Sequence, residues 1–100
     1  MKWLTLEDIK QQLRLEPEMT EEDALLTRYG KSAEATCLNV INRTYDELVE
    51  QGGGEVPAPI VQASLMLVDL SYKYRSPISP ENLSMVPYTF DLLIKPYMKL

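Results

Sequence analysis

Apolar positions along the chain recur at helical spacing. In "LEDIKQQLRLE", Leu6 to Glu16, the side chains Leu6, Ile9 and Leu13 share one face and polar residues fill the gaps, the pattern of a short amphipathic helix. Thr5 suits its N-cap, with Glu7 and Asp8 near the positive end and Arg14 near the negative end. Pro17 predicts its end, because the residue before a proline avoids the helical region. "TEED", Thr20 to Asp23, then reads as a capping box with acids in the first turn. Leu26, Tyr29, Ala33, Cys37, Val40 and Ile41 keep helical spacing to about Asn42. A further cap signal in "TYDE", Thr44 to Glu47, predicts a kink or a short extra helix through Val49. "QGGGEVPAP", Gln51 to Pro59, is a loop by composition.

Pro59 suits the first turn of the next helix, which the pattern carries to about Arg75. Ile60, Ala63, Leu67, Leu70 and Tyr74 form one stripe on it, and Val61, Leu65, Val68 and Tyr72 form a second. A helix apolar on most of its circumference belongs at the centre of a core. "SPISPENLSMVP" reads as a loop, and Pro87 predicts the start of a last short helix, "YTFDLLIK", closed by Pro96. The expected fold is all-α: one domain over residues 1–100, a small bundle of four to five helices with a long second helix and a central apolar third one.

Composition narrows what such a bundle can do. Hydrophobic content of 45% and charged content of 25% are ordinary for a globular chain. No apolar run approaches the ~20 residues that span a bilayer, so no membrane role is expected. "MKWLTLEDIKQ" has no signal-peptide apolar region, because Glu7 and Asp8 interrupt it, and an intracellular protein is expected. The net charge of −5 opposes binding to bare nucleic acid, which needs clustered Lys and Arg. One cysteine and no histidine remove an internal disulfide, a multi-Cys zinc site and the commonest general base together.

The remaining candidates each have a plainer reading. Cys37 sits inside a helix with no histidine to activate it, so it reads as core. Glu21, Glu22 and Asp23 point in different directions from a first turn and read as solvated acids complementing the dipole rather than metal ligands. "GGG" at Gly52 to Gly54 is followed by Glu55, not by Lys and Ser or Thr, so it is a flexible turn and no phosphate loop. The "NRT" and "NLS" tripeptides at Asn42 and Asn82 are chance glycosylation matches in a chain without an export signal. Gly30 reads as a close helix crossing. Tyr72, Tyr74, Tyr88, Phe90 and Tyr97 suit a partner protein better than nucleobases, because no basic stripe accompanies them. No catalytic residue, metal site or cofactor is expected.

Several segments taken together carry a resemblance. "LEDIKQQLRLE" resembles the opening of the tailed-phage head–tail connector family, a "phage DNA packaging" family nicknamed for its Q-L-R-G stretch; here that stretch is Gln12, Leu13, Arg14 and then Leu15 in place of glycine. The family's acidic turn and "DALL" are matched at Asp23 to Leu26, and its "A-x-L-M-L-V" with a following Tyr and Arg at Ala63 to Val68, Tyr74 and Arg75. Its proline-tyrosine step and "LL-x-x-PY" ending are matched in "VPYTFDLLIKPY", Val86 to Tyr97, with Met98 where a basic residue often follows.

The resemblance implies a structural connector subunit without catalytic activity. It would form a ring of about a dozen copies beneath a portal, receive a tail or tail-adaptor protein, and let DNA pass through its channel. That role would place it in the bacterial host cytoplasm during assembly and then in the virion neck. Leu6, Ile9, Leu13, Arg14, Tyr72, Tyr74, Arg75, Tyr88 and Tyr97 are the expected subunit or partner contacts, and Gly52, Gly53, Gly54 and Glu55 an expected mobile loop. Two rivals stand beside it: a small bacterial helical adaptor or regulator, and a helix-turn-helix module. The acidic balance opposes the second, since the long third helix has no basic residue before Lys73.

Overall fold

The computed structural model describes residues 1–74 and 88–99. They form five α-helices: α1 (Leu6–Leu13), α2 (Asp23–Ile41), α3 (Tyr45–Gln51), α4 (Ala58–Tyr74) and α5 (Tyr88–Ile94), followed by a 3-10 turn, Lys95–Tyr97. No strand occurs among the described residues. The all-α bundle expected from the spacing is therefore the fold. The expected loop Ser76 to Pro87, with Arg75 and the Asn82 tripeptide, lies outside the described residues.

Several helix boundaries have a local cause. Thr5 caps α1 as expected, its hydroxyl accepting the Asp8 N–H at 3.1 Å. The helix ends before Pro17 is reached, because Arg14 turns left-handed (φ 60°, ψ 37°) and the N–H groups of Arg14 and Leu15 close back on Gln11 and Lys10. Asn42 ends α2 by the same device, at φ 57°, and asparagine tolerates that conformation better than most residues. Thr44 and Glu47 form the capping box read from "TYDE", with bonds of 3.2 and 3.1 Å, but α3 runs on to Gln51.

The capping box expected at Thr20 is not formed. α2 starts at Asp23, Glu22 makes no side-chain cap, and it is the Thr20 carbonyl that accepts the Asp23 N–H, at 3.2 Å. Nor are all three acids solvated. Glu21 is exposed, whereas Asp23 lies 2.9 Å from the buried Lys10 ammonium and Glu22 accepts the Tyr72 hydroxyl at 3.2 Å. Lys10 also donates to the Pro17 carbonyl at 3.2 Å. A buried ammonium needs such partners, and Asp23 supplies one from the first turn of α2.

α4 is central. It packs against α1, α2 and α5, and only Ala58, Gln62 and Lys73 of its described side chains are exposed. Two apolar clusters meet on it. Ile60 and Ala63 join Cys37, Ile41, Leu48, Phe90 and Ile94, while Val68 joins Leu4, Ile9, Leu26 and Ala33. Gly30 makes the close crossing expected of it: a Cβ there would run into the Met1 side chain and come within 3.1 Å of Ile9 Cδ1.

Candidate functional site

Both described ends of the chain are held against α2. At the first, Glu34 is buried with 4% of its surface exposed. Its carboxylate accepts the backbone N–H of Lys2 at 2.7 and 2.9 Å, of Trp3 at 2.8 Å and of Leu4 at 2.8 Å. The Trp3 indole N–H donates to Ser64 Oγ at 3.0 Å, and Ser64 donates to the Ile60 carbonyl at 2.8 Å. Trp3 also stacks on Tyr45, with ring centroids 6.2 Å apart, and the Lys2 ammonium lies 5.0 Å from the Tyr45 ring centre. The hydroxyl of Ser64 is 3.4 Å from Cys37 Sγ.

Cys37 is wholly buried, as expected for a core residue. Burial pushes its thiol above the ordinary range, outweighing the Ser64 hydrogen bond, and nearby Glu34 pushes it further the same way. Such a thiol stays protonated and unreactive near neutral pH. Its role here is packing.

The second end is clamped at the far end of α2. Arg43 Nε donates to the Tyr97 carbonyl at 2.7 Å, the Lys99 N–H donates to the Ile41 carbonyl at 2.8 Å, and the Lys99 ammonium reaches Glu47 at 3.3 Å. The Thr44 backbone N–H, and after it Lys99, hold the exposed Glu47 carboxyl below its ordinary range. Neither the Glu34 clamp nor this one was read from the sequence. Partners more than thirty residues apart leave no trace in any local window.

The expected contact residues fall in different places. Ile9 is wholly buried within its own chain, and Leu6 and Leu13 are half-buried on the same cluster, so α1 lies on its own subunit's core. Arg14 is exposed beside them. Tyr72 is half-buried with its hydroxyl on Glu22, and Tyr97 is half-buried against the cluster of Cys37, Ile41 and Ile94. Arg75 and the side chains of Tyr74 and Tyr88 lie outside the described residues. The three glycines have local reasons. Gly53 and Gly54 take φ of 75° and 115°, and a Cβ on Gly52 would strike the Glu55 carbonyl. Closing α3 alone therefore calls for all three.

Among the described residues no cluster of His, Cys, Asp or Glu could hold a metal ion, and no helix is long and apolar enough to cross a membrane. The features open to a partner are apolar. Leu92 is 55% exposed, Met98 41%, Met19 39% and Val40 38%. Val40, Leu92 and Met98, with Ile94, Asp91 and Lys95, line a groove of about 320 Å³ beside the second clamp. Val40, one of the positions that keep the helical spacing of α2, lines this groove and is 38% exposed.

Neither the curated proteins nor the solved structures gave a match to the chain. The profile of a protein family does match it, described as "Phage gp6-like head-tail connector protein" and covering residues 4–98. That match shows that the chain belongs to the phage gp6-like head-tail connector family, a family of structural phage proteins.

Proposed function

We propose that the chain is one subunit of a ring of about a dozen copies, seated beneath the portal of a phage or prophage head and completing DNA packaging by receiving the tail or its adaptor. The observation that carries this reading is the family match over residues 4–98. The fold supports it: a subunit in a ring needs a rigid body, and the two clamps brace the chain ends against α2. Assembly takes place in the host cytoplasm and the finished ring sits in the virion neck. Arg14, Tyr72 and Tyr97 remain proposed contacts, as do Tyr74, Arg75 and Tyr88, whose side chains lie outside the described residues. Leu6, Ile9 and Leu13 act indirectly, by fixing α1 so that Arg14 is presented. The Gly52–Glu55 turn is a proposed point of contact with a neighbour.

Purified protein mixed with its cognate portal is the test. Native mass spectrometry and electron microscopy should show a closed ring of this chain stacked on the portal ring. A chain that stays monomeric at high concentration and ignores the portal would overturn the proposal.

A further inference from the structure

The exposed apolar side chains sit at opposite ends of one helix. Met19 lies in the turn that leads into α2, its N–H bonded to the Glu16 carbonyl at 3.1 Å. Val40 is one residue from the other end, where α5 and the 3-10 turn add Leu92, Ile94 and Met98 to the groove. The helix between has 19 residues, which makes it about 28 Å long at roughly 1.5 Å per residue. One copy cannot bring its own Met19 to its own groove.

Charge separates the two ends as well. Met19 is surrounded in sequence by the exposed acids Glu16, Glu18 and Glu21. The groove is lined by one base and one acid, Lys95 and Asp91, four residues apart, while Lys99, next to Met98, is paired with Glu47 at 3.3 Å. Two Met19 ends brought together would set three acids against three, which like-charge repulsion disfavours. Two grooves brought together would leave both methionines in water. An acidic end against this charge-balanced apolar groove avoids that repulsion, covers the methionine and lets Lys95 meet an acid, and a flexible methionine adapts well to an apolar recess.

We infer that the groove lined by Val40, Leu92 and Met98 receives Met19 of a second copy of this chain, so that neighbouring subunits join through unlike ends of α2. The contact is heterologous, which closes into a ring when the rotation between copies is right. It rests on the ring reading above and specifies the surfaces that reading leaves open.

The test uses a chain carrying both Met19→Cys and Leu92→Cys, bridged by a short bismaleimide in the presence of purified portal. The native Cys37 is buried and does not compete. A ladder of covalent dimers, trimers and longer chains is expected from the double variant, and neither single variant should give more than background. Reversing charge by Glu18→Lys or by Lys95→Glu should weaken assembly by about tenfold, and the two changes together should restore it. Rings on the portal without a ladder would overturn this contact and leave the connector reading standing. Absence of any assembly by the unmodified chain would instead remove the connector ring itself, and the contact with it.

Discussion

Glu34 accepts three successive backbone N–H groups with a carboxylate that water scarcely reaches. Burying a charge is costly unless it is hydrogen-bonded throughout, and bonds to an ionised acceptor contribute more than neutral ones, about 1.5–3 kcal/mol each. The residue therefore fixes the course of Lys2 to Leu4, sets Trp3 between Ser64 and Tyr45, and seats Leu4 in the core. In the sequence it is one acid in "KSAEATC", indistinguishable from a solvated one, because what makes it special is a segment thirty residues away. Glu34→Gln keeps one good acceptor oxygen but turns an amide NH2 towards backbone donors. The expected result is a loss of about 2 kcal/mol in urea unfolding. Trp3 is the chain's single tryptophan, so its emission should move to the red at the same time. An unchanged midpoint with unshifted emission would show that Glu34 does not hold the segment.

The elements were legible where their signals are local. Thr5 and the Thr44–Glu47 box act within one turn, and the spacing of Leu26, Ala33, Cys37 and Ile41 puts all four in the core. Boundaries that answer to distant partners were not legible. The start of α2 at Asp23 coincides with the Lys10–Asp23 ion pair, which joins two helices. The contact groove was hidden for the same reason, since periodicity gives Val40 an apolar face without showing that no helix covers it. Gly30 lies between these cases: a glycine inside a helix costs about 1 kcal/mol against alanine, and here the gain is close approach by Met1 and Ile9. Gly30→Ala should therefore lower stability by about 1–3 kcal/mol through overpacking, against the helix propensity it improves. A thermal melt decides the sign, and a stabilised variant would show that the crossing has room to spare.

At the scale of the whole molecule, α4 joins two apolar clusters while α2 separates two polar ends. The fold leaves Glu50 and Glu55 exposed beside the glycine turn. The chain carries 15 acids against 10 bases, and a ring multiplies that excess with every subunit added. In the proposed ring, DNA passing through would meet no net attraction. Phosphate contacts by Lys and Arg would hold it through counterion release, whereas a net negative wall repels it weakly over a Debye length, about 8–10 Å in physiological salt. A channel that carries DNA in both directions works best without a trap. The purified protein should accordingly show no binding to duplex DNA in a mobility-shift assay at physiological salt, whether as free subunits or assembled on the portal. Lowering the salt lengthens the range of repulsion and should not bring binding on, which separates this expectation from a merely weak phosphate contact. A retarded band that strengthens as salt falls would mean that a basic surface lines the channel despite the chain's overall charge.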